Sequence, residues 1–123
     1  MNNGTGSNVS HPEPLIVSVS GLRGIVGKSL TDDVAAAYAC SFIETLPAGP
    51  IVVGRDGRES GPALKKIISK AITASGRDVL DCDTASTPTV GVAVVENNAA
   101  GGIQISASHN PAPYNGLKLF SEK

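Results

Sequence analysis

Apolar and polar positions alternate between two periods along the chain. Leu15-Ile16-Val17-Ser18-Val19-Ser20 is a β-rich run that ends at Gly21, and it predicts a strand. Thr31-Asp32-Asp33 has the composition of a helix start, with Thr31 as N-cap and two acids in the first turn. Val34, Tyr38, Phe42 and Leu46 then recur at every fourth position, which predicts one apolar stripe on a helix that Pro47 and Gly49-Pro50 stop. Ile51-Val52-Val53 predicts a second strand, broken by the turn Gly54-Arg55-Asp56-Gly57-Arg58. Ser60 and Pro62 open a second helix, with Leu64, Ile67, Ile68, Ala71 and Ile72 as its buried face and Gly76 at its C-terminal end. Lys65, Lys66 and Lys70 point away from that face.

Val79 to Cys82 predicts a third strand. Thr87-Pro88 opens a third helix carrying Val90, Val94 and Val95, ended by Asn97-Asn98. Ile103 to Ser106 is a fourth strand, a tight loop runs from Ala107 to Asn115, and Gly116 to Phe120 is a fifth strand. Asn115-Gly116 is a turn signal, so strands four and five are expected to pair antiparallel. Strands alternating with helices predict an α/β fold, a three-layer α/β/α sandwich around a mixed, mostly parallel sheet of four to five strands. Sites in such sheets form beyond the C-terminal ends of the strands, where loops 21–27, 54–60 and 106–115 fall.

At 123 residues the chain is one domain. Residues 1–13 are rich in Asn, Gly and Ser and are expected to form a disordered tail, with the folded domain spanning 14–123. Charged residues are 17%, below the usual share of about 25%, so part of the surface is expected to be covered in the working protein, or to drive self-association of this chain. Ten Lys and Arg against eleven Asp and Glu leave no basic excess, and aromatics are 3%; both argue against nucleic acid. No apolar run reaches membrane-spanning length, and the first residues lack the pattern of a signal peptide. Cys40 and Cys82 lack a paired spacing and are expected as two buried thiols of a cytoplasmic protein.

The sharpest chemical segment is Ser106-Ala107-Ser108-His109-Asn110-Pro111-Ala112-Pro113-Tyr114-Asn115-Gly116. Asn-Pro and Pro-x-Pro stiffen a loop that presents Ser, His and Asn directly after an apolar strand. The same residues read equally well as a structural turn with polar caps. Ser108-His109 is not a nucleophile and its base in the hydrolase sense, because adjacent side chains diverge and the only other histidine is His11. A serine that carries a group or contacts a ligand, with Lys118 within reach on the next strand, fits better. Ser20 to Ser29 misses a phosphate-binding P-loop by one residue, since Leu22 stands where glycine is needed; a nucleotide binder is therefore a weak alternative. Arg23 between two glycines suits bidentate phosphate contact, or is an ordinary surface arginine. Arg55 and Arg58 either hold phosphate at a helix N-terminus or pair with Asp56 to fix the turn, the plainer reading. Asp81 and Asp83 read as a solvated strand end, or as two ligands of an incomplete metal site.

Taken together, Ser106-Ala107-Ser108-His109-Asn110-Pro111 with Asn115-Gly116-x-Lys118 resembles the phosphoserine loop of the α-D-phosphohexomutases. Ser20-Gly21-Leu22-Arg23-Gly24, Val53 to Arg58 and Ser86-Thr87-Pro88-Thr89 resemble further elements of that family, in the same order. The resemblance implies a catalytic-serine domain I. Ser108 would carry the phosphoryl group, with His109, Lys118 and Arg23 around it and Asn110 and Arg55 contacting phosphate or substrate. It implies interconversion of hexose 1-phosphate and hexose 6-phosphate through a hexose 1,6-bisphosphate. It also implies Mg²⁺ in the full-length enzyme, bound through the phosphate on Ser108 and by an Asp-Gly-Asp-x-Asp loop absent from this sequence. Family members have four domains, so this chain is expected to be the first of them, with the remaining domains as partners, and inactive alone. The missing metal loop motivates an alternative, a standalone sugar-phosphate binding module without turnover.

Overall fold

The structure, a computed structural model, describes residues 18–106 and 114–121. Among the described residues the elements run β1 Ser18–Ile25, α1 Asp32–Glu44, β2 Ile51–Arg55, α2 Gly61–Ala74, β3 Val79–Thr84, α3 Thr87–Glu96, β4 Gly101–Ile105 and β5 Tyr114–Ser121. The strands form one sheet in the order β1-β5-β4-β2-β3. Strand β2 is parallel to β3 and to β4, while β5 is antiparallel to β4 and to β1. The sheet is therefore mixed and mostly parallel, with β5 its one reversed member, and the expected antiparallel pairing of the last two strands is present.

Two helices cover one face and one covers the other, which makes the α/β/α sandwich. Ala35, Ala39 and Ile43 of α1 and Leu64, Ile68 and Ile72 of α2 close over Val53, Ile103, Ile105, Leu117 and Leu119 of the sheet. On the opposite face Val90 and Val94 of α3 pack on Val52 and Phe120. Thr31 caps α1, its hydroxyl accepting from the Val34 N–H at 3.2 Å. Gly76 ends α2 at φ +90°, in the left-handed region that a following glycine suits.

Several boundaries differ from expectation. The stripe Val34-Tyr38-Phe42-Leu46 is not the centre of the buried face of α1: Val34 is 38% exposed, and the centre is Ala35, Ala39 and Ile43. Helix α1 lies close to α2, and small side chains permit that approach, while Tyr38, Phe42 and Leu46 pack half-buried at the margin. Strand β1 does not end at Gly21 but runs on to Ile25. Gly21 stays in the sheet because its missing side chain leaves room for β5, where an added Cβ would lie 2.7 Å from the Leu117 carbonyl oxygen. Likewise Gly54 and Arg55 belong to β2, and Asn115-Gly116 belongs to β5 instead of forming a turn. Both residues are paired across to β1 as Gly24↔Asn115 and Arg23↔Gly116, and ladder pairing overrides the local turn preference. Helix α3, by contrast, opens at Thr87 as expected, capped by Ser86 through the Thr89 N–H at 3.2 Å. The two thiols are not both buried: Cys40 is exposed on α1 and Cys82 is half-buried.

Candidate functional site

Strands β1, β2 and β4 point the same way, so the segments after Ile25, Arg55 and Ser106 leave the sheet at one edge. Leu117 and Leu119 face α1 and α2, so the alternation of a strand turns Lys118 to the other face. Across the ladder Lys118 lies opposite Gly21 on one side and Gln104 on the other, while Gly116 lies opposite Arg23. Directly opposed residues share a face. Arg23 and Lys118 thus come to the same side of the sheet on neighbouring strands. Together with Gly21 and Ser106 they line a cavity of about 290 Å³. Helix α3 packs over β2 and β4, so the cavity opens on the β1–β5 side. The Tyr38 hydroxyl reaches from α1 and donates to the Gly21 carbonyl at 3.2 Å, fixing the strand that forms the cavity wall.

Ser108, His109 and Asn110 lie outside the described residues. The chain on either side of them is held firmly. Ser106 N–H donates to the Gly116 carbonyl at 2.9 Å and Asp56 N–H donates to the Ile105 carbonyl at 3.0 Å. Arg58 Nη1 donates to the Tyr114 carbonyl at 3.2 Å. The Asn115 carboxamide donates to the Ser60 hydroxyl at 2.8 Å. The turn 56–60 is fixed as the Arg–Asp reading expects: Asp56 Oδ1 accepts from the Arg58 N–H at 3.0 Å, and Arg58 Nε stands 3.4 Å from Asp56 Oδ2.

Arg55 is not brought to this cavity. It pairs in register with Ile105, on the face of α1 and α2, and its chain passes against the start of α2 at Gly61. Its guanidinium donates to Asp83 Oδ1 at 3.4 Å and to the Asp56 carbonyl at 3.3 Å, while its buried Nε has no hydrogen-bond partner. Asp81 and Asp83 converge on Lys65, at 2.8 and 3.1 Å. The hydrogen bond to Asp81 raises the Lys65 ammonium above its ordinary value against the opposing effect of burial. Burial would raise Asp81, but the bonds from Lys65 and from the Asp83 N–H outweigh it and hold the carboxyl low. Burial, with the Asp81 charge beside it, pushes the Cys82 thiol up, away from thiolate chemistry at neutral pH. Among the described residues no three His, Cys, Asp or Glu side chains gather as a metal site, and no helix is long and apolar enough to cross a membrane.

Three residues at or near the site were given no individual role by the sequence. Ser106 is buried at the cavity, where the sequence marked it only as the first residue of the loop motif. Asn115 is fully buried in β5, where its Asn-Gly context signalled a turn. Gln104 is 1% exposed and donates to the Ala85 carbonyl at 2.7 Å; a lone amide in an otherwise apolar strand was the available sign.

Fold and cavity define an α/β/α domain with a cationic cleft at the C-terminal edge of its parallel strands. The sequence model of the "Phosphoglucomutase/phosphomannomutase, alpha/beta/alpha domain I" family matches residues 15–123, and the chain belongs to this family. It is 41% identical over 100 residues to a phosphoglucosamine mutase of Thermotoga maritima, and 39% identical over 102 residues to a protein named phosphohexose mutases from Xanthomonas campestris pv. campestris strain B100. These alignments cover 81% and 83% of this chain and 23% of either relative, so the chain spans under a quarter of their length. The solved structure of a phosphoglucomutase/phosphomannomutase family protein from Burkholderia thailandensis matches with a TM-score of 0.70 at 32% identity, over 82% of this chain and 24% of its own. A structure from Thermus thermophilus matches with a TM-score of 0.73 at 31% identity, over 89% of this chain and 26% of its own.

Proposed function

We propose that this chain is the domain of a phosphohexomutase that carries the transferred phosphoryl group on Ser108. One observation carries the reading. Arg23 and Lys118, distant in sequence, line one cavity at the sheet edge, with Ser106 at the point where the Ser108 segment leaves β4. A phosphoserine bears about −1.5 to −2 charge and three strong acceptor oxygens, and phosphoryl transfer depends on positioning and charge stabilisation more than on a strong base. A guanidinium and an ammonium on neighbouring strands supply those two needs.

In the proposed cycle a hydroxyl oxygen of a hexose phosphate attacks phosphorus and the bond from phosphorus to Ser108 Oγ breaks. The hydroxyl proton passes to a nearby base and the serine oxygen takes up a proton, leaving a hexose 1,6-bisphosphate and free serine. The sugar then reorients, and its other phosphate returns to Ser108 by the reverse chemistry. Arg23 would hold the equatorial phosphate oxygens, and Lys118 would balance charge or carry the proton. His109 and Asn110 would line the centre. Arg55 would contact substrate from its place beside α2, which puts it apart from Arg23 and Lys118. The Mg²⁺ that the resemblance implies has no carboxylate cage among the described residues, and no step here runs through it.

In the longer polypeptide that joins this domain to the remainder of a mutase, Ser108→Ala is expected to reduce turnover by several orders of magnitude, as loss of a nucleophile does. The wild-type protein should yield a phosphopeptide containing Ser108. Full activity in the variant would overturn the assignment.

A further inference from the structure

Ser60 occupies the N-cap position of α2, yet its hydroxyl makes no bond to the first turn of that helix. Serine and threonine at this position ordinarily accept from a backbone N–H two or three residues on. Thr31 and Ser86 do so at the starts of α1 and α3. The Ser60 hydroxyl is turned instead to Asn115 and accepts from its Nδ2 at 2.8 Å. Asn115 is 0% exposed, and its Oδ1 accepts from the Gly116 N–H at 2.9 Å. A carboxamide that deep in the protein is costly unless both ends are bonded, so Asn115 depends on the Ser60 oxygen.

Gly116 is where three strands meet at the cavity. It lies opposite Arg23 in β1, and its carbonyl accepts from the Ser106 N–H at 2.9 Å. Lys118 lies two residues further along the same strand and face. An added side chain at 116 would run into the Leu22 carbonyl of β1 and come within 3.1 Å of the Ser106 carbonyl just past β4. The packing leaves Gly116 little room to shift, and the Asn115 carboxamide holds its N–H.

We propose that Ser60 is a positioning residue for the cavity. Through Asn115 it fixes Gly116, and through Gly116 the relative placement of Arg23, Ser106 and Lys118. Helix α2 forgoes the side-chain cap that its two neighbours have, and the same hydroxyl ties the helix start to the strand that bears Lys118. The inference rests on reading the cavity as a phosphate site, and its test keeps the two apart.

The experiment is a titration of the ¹⁵N-labelled chain with inorganic phosphate, joined to amide hydrogen exchange without phosphate. The wild-type chain is expected to show saturable shifts at the Arg23 side chain and at the Ser106 and Gly116 amides. Ser60→Ala, which leaves Asn115 Nδ2 unbonded, is expected to weaken phosphate binding at least about fivefold and to speed exchange at Gly116 at least about tenfold. Exchange in α1 and β3 should hold its wild-type rate. Ser60→Thr keeps the hydroxyl and should restore both readings. Unchanged affinity and Gly116 exchange in Ser60→Ala would overturn the proposal, and so would faster exchange throughout the chain, which marks a merely structural role. If the wild-type chain binds no phosphate, the phosphate reading falls; the Gly116 exchange comparison still decides whether Ser60 positions the cavity.

Discussion

Lys65 sits on α2 with its ammonium between two carboxylates at the end of β3, 2.8 Å from Asp81 and 3.1 Å from Asp83. The lysine is largely covered, but Asp81 and Asp83 are exposed, so the cluster belongs to the class of surface ion pairs worth little individually. Its pH signature is nevertheless definite. Asp81 is held below the ordinary carboxyl value: burial opposes this, and the bonds from Lys65 and the Asp83 N–H prevail. A group lowered on folding adds stability above its unfolded value of about 4 and loses it as pH falls through the folded value. Asp81→Asn should therefore lower unfolding free energy by at most about 1 kcal/mol near pH 7, and by progressively less in acid as pH falls below about 4. Urea midpoints of the two proteins at neutral pH and in acid measure this; an undiminished difference in acid would refute it. At this scale the sequence was informative where partners are local. Asp56 and Arg58 are two residues apart, and their pairing could be read from the turn. Lys65 and Asp83 belong to different elements, so their meeting could not.

At the scale of elements, the types and order of strands and helices were legible because hydrophobic period and cap chemistry act over a few residues. Thr31 and Gly76 do at the ends of α1 and α2 what their residue types suggest. Boundaries went astray at glycine. Gly21, Gly54 and the Asn115-Gly116 pair all look like chain reversals, and all lie inside strands. They are there for close approach, a property of the neighbouring strand and not of the local sequence. Gly116→Ala should thus be strongly destabilising, by about 1–3 kcal/mol or more, because the atoms it meets are backbone of β1 and of Ser106 just past β4. Gly57→Ala, with open space around the added carbon and no left-handed backbone, should be neutral or stabilising by up to about 1 kcal/mol. Thermal unfolding of both variants compares them directly, and equal behaviour would refute the close-approach account.

For the whole molecule the decisive event is the insertion of β5 between β1 and β4. It is the last strand, it runs against its neighbours, and it joins the first strand to the rest of the sheet. Without it Arg23 and Lys118 would not share a cavity. The cavity is open on the β1–β5 side, and the relatives that share this domain are more than four times the length of the matched segment. The chain alone is accordingly expected to show no measurable turnover of hexose 1-phosphates with Mg²⁺ supplied; a coupled assay detecting product from the purified 123-residue chain would contradict this.

The sequence by itself determined the layers, the order of the elements, the antiparallel last pair and the motifs that gather at one sheet edge. These follow from periodicity, caps and residue types that act within a few positions. The tertiary structure alone decided which face receives Lys118, that Arg23 joins it and Arg55 does not, and that Ser60 turns from its own helix to a buried Asn115. Each of these depends on the register between strands far apart in the chain, which a shift of one residue would reverse.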